Sequence, residues 1–197
     1  PVLLNPLYYD CPMLCGLVLD GVINVVDELI WKPGKEFIVI SISIDPKEDA
    51  ALAAKSKENY LGQMDSTAKA GWHFLTGNKD QIDKVVDAVG FEYKEIEETG
   101  EYAHSAAITL LSPKGKITRY LYGISYDEFN VRSALYESAD GKIGNTVDKL
   151  VMFCYQYDPD SGSYTPVAIN IMKLGGLATL IILGIFLGVL WLREKRK

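Results

Sequence analysis

A long uncharged segment near the C-terminus is the strongest constraint on how this chain folds. Residues 174–192 are 19 consecutive residues without a charged side chain. As a helix with a rise of ~1.5 Å per residue they extend about 29 Å, which matches the ~30 Å hydrocarbon core of a bilayer. We therefore predict a transmembrane helix over residues 167–192, with Lys173 and Trp191 near its two ends.

The basic C-terminal tail indicates the orientation of this helix. Residues 193–197 carry four positive charges and one negative charge. Such a tail belongs on the cytoplasmic side, so the preceding domain is expected outside the cytoplasm. We predict a bacterial single-pass protein of the cytoplasmic (inner) membrane, with a periplasmic domain over residues 1–154, a linker over 155–166 and a cytoplasmic tail. The chain opens without Met, inside an expected strand, so we expect its N-terminus to be incomplete.

The charge of the remaining chain argues against one class of function. The net charge is −6, and removing the +3 of the tail leaves −9 on residues 1–192. An acidic domain without a basic patch interleaved with aromatic residues is not typical of nucleic-acid binding.

Two of the three cysteines lie close together near the N-terminus, in the segment Tyr8-Tyr9-Asp10-Cys11-Pro12-Met13-Leu14-Cys15-Gly16. The segment follows an apolar run and precedes apolar residues with helical periodicity, which predicts a strand, a turn and a helix. Pro12 suits the first helical position, so Cys11 falls at or near the N-cap. The helix dipole there favours the thiolate, and Cys15 follows one turn later on the same face.

The spacing of this pair allows four interpretations: a structural disulfide, a redox pair, a site for a soft metal, or two unrelated core cysteines. The usual redox motif has two intervening residues, whereas this pair has three. The spacing alone does not separate the four. Cys154 is interpreted first as a small buried residue and second as a third redox-active thiol.

A βαβ unit is predicted around the cysteine segment. Residues 36–44 form a nearly unbroken β-branched run before Asp45-Pro46, typical of a strand buried on both faces of a parallel sheet. Because the strands of a parallel pair end at the same edge, Asp45 is expected near Cys11. It would orient a ligand or move a proton there, or it would cap a helix that starts at Lys47.

The later segments complete an α/β pattern that looks like a thioredoxin-like domain, with a central mixed sheet flanked by helices. Taken by themselves, His73 and His104 are more often surface or hydrogen-bonded residues than ligands. The predicted elements are helices at 17–31, 47–59, 79–89, 126–139 and 143–154, a loop with a short strand at 68–78, a strand at 91–96, and a hairpin of 102–111 with 117–123.

Several segments resemble the Sco (SenC/PrrC) family of membrane-anchored, thioredoxin-like copper proteins. They occur in family order over about residues 1–140: Tyr8 to Cys15, Ser41 to Pro46 with Asp49, Trp72 to Gly77, Tyr102 to Ser105, and Ser112 to Lys116. The chain departs from the family pattern in three ways, one of which is that Cys154 lies outside the three-ligand pattern. Gly16 stands where the family often has Pro, and the membrane anchor is C-terminal where many members have an N-terminal one.

The resemblance implies a copper site made by Cys11, Cys15 and His104, with Asp45 and Asp49 around it and one Cu(I) or Cu(II) ion per domain. Thiolates select Cu(I), and an added imidazole allows Cu(II) to be held as well. Zinc also accepts sulfur and nitrogen ligands, so it is the metal to exclude.

The function implied is that of a copper-binding factor without turnover, which delivers copper to, or helps to assemble, the dinuclear copper centre of a haem–copper cytochrome c oxidase. Its partners would be the copper-centre subunit or another respiratory membrane complex, and membrane lipid. One alternative is a thiol–disulfide oxidoreductase acting on oxidase cysteines, which needs Cys11 and Cys15 but not His104. The other is a resident subunit of a respiratory complex, docked through Gly184-x-x-x-Gly188.

Overall fold

The computed structural model describes residues 1–11, 14–96 and 98–195, with the backbone alone for Leu14 and Cys15. The chain divides into two compact units, Pro1–Gly144 and Asn145–Lys197. In chain order the elements are β1 (Val2–Leu7), α1 (Leu14–Glu28), β2 (Ile38–Ser43), α2 (Ala50–Leu61), α3 (Ser66–Ala70), β3 (Trp72–Leu75), α4 (Lys79–Ala88), β4 (Tyr93–Ile96), β5 (Glu101–His104), β6 (Ala107–Leu111), β7 (Ile117–Tyr122), α5 (Glu128–Ser138), α6 (Thr146–Cys154), β8 (Tyr155–Asp158), β9 (Ser163–Pro166) and α7 (Ala168–Glu194).

The first unit is built on a five-stranded mixed sheet in the order β3-β2-β1-β6-β7. Strands β1, β2 and β3 are parallel, whereas β6 runs antiparallel to both β1 and β7. Helix α5 packs on β1, β6 and β7 and touches α1, while α2 and α3 pack on β3. The predicted fold class, a central mixed sheet flanked by helices, is confirmed.

Strands β1 and β2 are largely buried: nine of their twelve residues are apolar, and the three polar ones, Asn5, Ser41 and Ser43, are buried as well. Leu3 and Leu7 of β1 and Val39 of β2 are almost completely buried. Such strands require cover on both faces, as is usual where strands run parallel. Helix α1 adds an apolar stripe at helical spacing to the core, formed by the buried residues Val18, Leu19, Val22, Val25 and Val26.

The predicted hairpin of residues 102–111 with 117–123 is only partly correct. Strands β6 and β7 form it, but residues 101–104 are a separate strand, β5. This strand pairs antiparallel with β4, and Tyr93 lies opposite His104. We call this pair the β4–β5 ribbon. It forms a sheet of its own, so His104 lies at the end of the ribbon and not on the central sheet.

The second unit contains α6, the hairpin of β8 and β9, and α7. A capping box starts α6: the Asn145 side chain accepts from the Asp148 N–H, and the Asp148 carboxylate accepts from the Asn145 N–H. Residues 155–166, expected as a linker, contain the hairpin, in which Tyr157 lies opposite Tyr164. Helix α7 has 27 residues and a mean hydropathy of 2.3 in its most apolar window, long and apolar enough to cross a membrane.

Candidate metal centre

Cys11 lies where the chain leaves the central sheet. Strand β1 ends at Leu7, level with Ser43 at the end of β2, and a turn at Tyr9 and Asp10 leads to Cys11, which is half-buried. Helix α1 then begins at Leu14, so the predicted order of strand, turn and helix is confirmed. The side chain of Cys15, together with Pro12 and Met13, lies outside the described residues.

A buried carboxylate that the sequence analysis did not identify holds the loop that leads to Cys11. Glu48 is only 8% exposed, and its two oxygens accept from the backbone N–H groups of Tyr9 at 2.9 Å and Asp10 at 2.8 Å. The Ser43 hydroxyl donates to the same carboxylate at 2.6 Å. An ionised carboxylate accepts and never donates, which suits a position facing three donors. Glu48 therefore fixes the backbone immediately before Cys11.

Tyr9 fixes the same loop from the other side. Its hydroxyl lies 2.9 Å from both the Ser41 and the Leu75 carbonyl oxygens and shares its one hydrogen between them, while its ring stacks on Phe74 at 5.5 Å. Burial, the largest influence, raises the pKa of Tyr9 far above that of a free phenol, so the hydroxyl stays a donor. The loop is thus tied to β2 and to the end of β3.

Replacing Tyr9 with phenylalanine should lower the free energy of unfolding by about 1 kcal/mol, because the hydroxyl contacts are lost while the ring stacking stays. Denaturant unfolding of the full chain in detergent micelles measures the change. Tyr122→Phe is the matched control, since Tyr122 is 66% exposed. The free energy of unfolding of this variant should be close to that of the wild type. Equal stability of Tyr9→Phe and Tyr122→Phe would show that the two carbonyl contacts do not stabilise the loop.

The β4–β5 ribbon brings His104 next to the same end of β1. The His104 ring lies 6.3 Å from the Tyr8 ring and 5.5 Å from the Phe91 ring. Its Nδ1 lies 3.0 Å from the Ser105 carbonyl oxygen, which can only accept, so a hydrogen bond here is donated by Nδ1. Metal-binding histidines are commonly oriented by such a bond from the second nitrogen. The Ser105 contact thus orients the His104 ring in the way that is usual for a metal ligand.

The segment after β2 contacts both the β4–β5 ribbon and the loop that leads to Cys11. Asp45 accepts from the Tyr102 hydroxyl at 3.2 Å, and the Lys47 ammonium lies 2.8 Å from Glu95 on the ribbon. Glu48, three residues after Asp45, holds the Cys11 loop. Burial first, and then the negative charge of Asp45, raise the pKa of Tyr102 well above the usual range. One short segment therefore joins the ribbon to the Cys11 loop.

The two predicted acidic neighbours of the site have different local roles. Asp45 does not cap a helix at Lys47; it accepts from the Lys47 N–H at 2.8 Å in a local turn. Asp49 is the N-cap of α2 and accepts from the Leu52 N–H at 2.8 Å, so the helix begins three residues later than expected. The role of both near a metal stays a prediction.

Within the described residues, no three His, Cys, Asp or Glu side chains lie close enough together to hold a metal ion. The predicted ligand set includes Cys15, whose side chain is not among them, so the set of Cys11, Cys15 and His104 stays a prediction. The donor types fit a soft metal, because two sulfurs and one imidazole nitrogen suit copper in both oxidation states.

The model of the SCO1/SenC family matches residues 1–135. A Stutzerimonas stutzeri protein named "Putative copper-binding protein" is 25% identical over 114 residues, which are 56% of this chain and 52% of that protein. The chain thus spans about half the length of this curated relative.

Solved structures share the fold. The crystal structure of a "putative electron transfer protein from Aquifex aeolicus VF5" superposes with a TM-score of 0.64 at 25% identity, covering 72% of this chain and 79% of that one. Bradyrhizobium japonicum ScoI with copper bound gives a TM-score of 0.51 at 23% identity, covering 71% and 83%. The thioredoxin-like architecture is confirmed. Because the family model matches well over half of the residues, the chain belongs to the SCO1/SenC family.

Proposed function

We propose that this chain is a membrane-anchored copper-binding protein that helps to assemble the dinuclear copper centre of a cytochrome c oxidase. Cys11, Cys15 and His104 would hold one copper ion as cargo for the oxidase subunit that carries this centre. The copper-binding name of the Stutzerimonas stutzeri relative and membership of the SCO1/SenC family support the choice of metal.

The observation that carries the proposal is the placement of His104. Its ring lies against Tyr8, three residues before Cys11, and its Nδ1 is occupied by the Ser105 carbonyl oxygen. Metal-binding histidines are commonly oriented by a bond from one ring nitrogen to a carbonyl or carboxylate oxygen, and the Ser105 contact would play this part. Copper in this place would be bound by side chains from two parts of the fold, at a half-exposed edge that a partner protein can reach.

The residues around the site would position the ligands. Glu48 and Tyr9 fix the backbone that leads to Cys11, and Asp45 fixes Tyr102, two residues before His104 on the ribbon. Thiolates favour Cu(I) and the imidazole extends the site to Cu(II), so this donor set would hold copper through a change of oxidation state. Ligands held in place in this way lose less freedom when the metal binds.

The apolar helix α7 would anchor this domain in the cytoplasmic membrane. It is the one helix among the described residues that is long and apolar enough to cross a bilayer, and its apolar residues are exposed. Arg193, at its C-terminal end, and the basic residues after it support a cytoplasmic C-terminus. The copper-binding domain would then lie on the periplasmic side, where the copper centre of the oxidase is expected.

The chain offers a matched pair of variants to test the copper site, because it has two histidines. Full-length protein in detergent micelles is titrated with Cu(II) and followed by optical spectroscopy, for the wild type, His104→Ala and His73→Ala. His73 is exposed on β3 and serves as the control. We expect one copper per chain and an intense thiolate-to-Cu(II) charge-transfer band in the wild type and in His73→Ala, and loss of that band in His104→Ala.

An unchanged band and stoichiometry in His104→Ala would contradict the three-ligand site. If the wild type takes up no copper and instead contains a Cys11–Cys15 disulfide that exchanges readily with dithiols, the thiol–disulfide oxidoreductase function would replace the proposal. Competition with zinc in the same titration separates a copper-selective site from a general site for sulfur-binding metals.

A further inference from the structure

We propose that α6 is an interfacial helix that inserts its apolar side into the lipid surface next to the membrane span. The inference rests on the membrane anchor of the proposed function. It extends the contact with the bilayer from α7 alone to α7 and α6. Val147, Leu150 and Phe153, at intervals of three residues, form the apolar side of α6, and we call them the apolar face of α6.

This face is exposed to a degree unusual for large apolar side chains. Val147 is 65% exposed, Leu150 is 53% exposed and Phe153 is 46% exposed. The less exposed side of the helix carries Asp148, which closes the capping box, together with the half-buried Val151 and Met152. A water-soluble helix normally places its apolar side inward and its charges outward. In α6 three of the five large apolar side chains are exposed, and another apolar phase would cover them.

Direct hydrogen bonds connect the end of α6 to the start of the membrane helix. The Val167 N–H donates to the Cys154 carbonyl oxygen at 2.7 Å, and the Asn170 side-chain amide donates to the Phe153 carbonyl oxygen at 2.7 Å. Both α6 residues are therefore fixed to the first turn of α7. When α7 spans a bilayer, its first turn lies in the headgroup region, and the C-terminal end of α6 lies there with it.

The composition around this junction is that of a membrane interface. The hairpin between α6 and α7 carries the half-exposed Tyr155 and Tyr157, and aromatic residues with a polar end concentrate at the headgroup level. Lys149 on α6 is exposed and provides a charged side chain beside the apolar face. An amphipathic helix with this division of side chains lies in the plane of the interface. We therefore assign the lipid surface as the occupant of the apolar face of α6.

Nitroxide accessibility in lipid nanodiscs tests this assignment on the full-length chain. Single cysteines are introduced as Leu150→Cys on the apolar face, Lys149→Cys beside it and Ile181→Cys in the middle of α7, with Cys11, Cys15 and Cys154 replaced by serine. Collision with oxygen, which concentrates in lipid, is compared with collision with a water-soluble nickel chelate. We expect oxygen to dominate several-fold at position 150 and the chelate to dominate at position 149. Phe153→Cys provides a second position on the same face.

Two results would overturn the inference. Equal access of the chelate to positions 149 and 150 would place the apolar face of α6 in water, and exclusion of both reagents from position 150 would show that protein covers it. The label at Ile181 separates this inference from its premise. If it collides mainly with oxygen while position 150 is in water, α7 is a membrane anchor and only the interfacial helix is wrong; a chelate-accessible position 181 removes the anchor itself.

Discussion

Replacing Glu48 with alanine should lower the free energy of unfolding by about 3 kcal/mol, because three hydrogen-bond donors facing a buried carboxylate would lose their acceptor. The Tyr9 and Asp10 N–H groups and the Ser43 hydroxyl all donate to Glu48. Denaturant unfolding of the full chain in micelles, followed by tryptophan fluorescence, measures the loss. The copper affinity should fall in the same variant, since the backbone before Cys11 would no longer be fixed.

Two matched variants show whether the hydrogen bonds are the cause. Glu48→Gln keeps the shape of the side chain but only one oxygen acceptor. Its free energy of unfolding should therefore lie between those of the wild type and Glu48→Ala. Glu92→Ala removes an exposed carboxylate on the same domain and should change stability by less than about 0.5 kcal/mol. Equal stability of Glu48→Ala and Glu92→Ala would refute the structural role assigned to Glu48.

Replacing Trp72 with alanine should lower the free energy of unfolding by about 3–5 kcal/mol, the range observed when a large aromatic side chain is removed from a core. Trp72 is completely buried at the start of β3, and its indole N–H donates to the Ser41 hydroxyl at 3.0 Å. Its ring also lies 6.1 Å from Phe74, on which Tyr9 stacks. The cavity would therefore reach the side chains that support the Cys11 loop.

The same unfolding measurement on Trp72→Phe separates packing from hydrogen bonding. Phenylalanine retains most of the apolar volume but has no N–H for Ser41. Trp72→Phe should therefore lower the free energy of unfolding by less than Trp72→Ala does. Leu75→Ala, on the same strand and 42% exposed, is the control for an apolar truncation outside the core. A loss in Trp72→Ala no larger than in Leu75→Ala would show that Trp72 is not part of the core.

The sequence predicted the parts of this fold in which local pattern and tertiary environment agree. The β-branched run before Asp45 and the strand, turn and helix around Cys11 required parallel neighbours, and the structure has them. The division of residues 102–111 was missed because both halves have strand composition and Ser105 is no strong breaker. Only the tertiary structure decides that one half pairs with β4 and the other with β7.

Glu48 was missed for a different reason. It lies in a charged stretch with Lys47 and Asp49, and such a stretch ordinarily indicates a solvated helix start. Its burial depends on the turn at Tyr9 and Asp10 lying across the end of β2, a contact between segments about 40 residues apart. No local pattern records this contact. The Cys11 and His104 predictions, by contrast, depended on the family resemblance, because the residues alone left several interpretations open.

The separation of the β4–β5 ribbon from the central sheet bears on how long cargo would stay bound. His104 lies on the ribbon, whereas Cys11 follows a central strand. Small elements outside the main sheet open at lower free energy than the whole domain. A metal ion held from both sides would therefore fasten the ribbon to the sheet edge, and brief opening of two four-residue strands would release one ligand while the core stayed folded. The residence time of the metal ion and the free energy of unfolding of the domain would then depend on different parts of the structure.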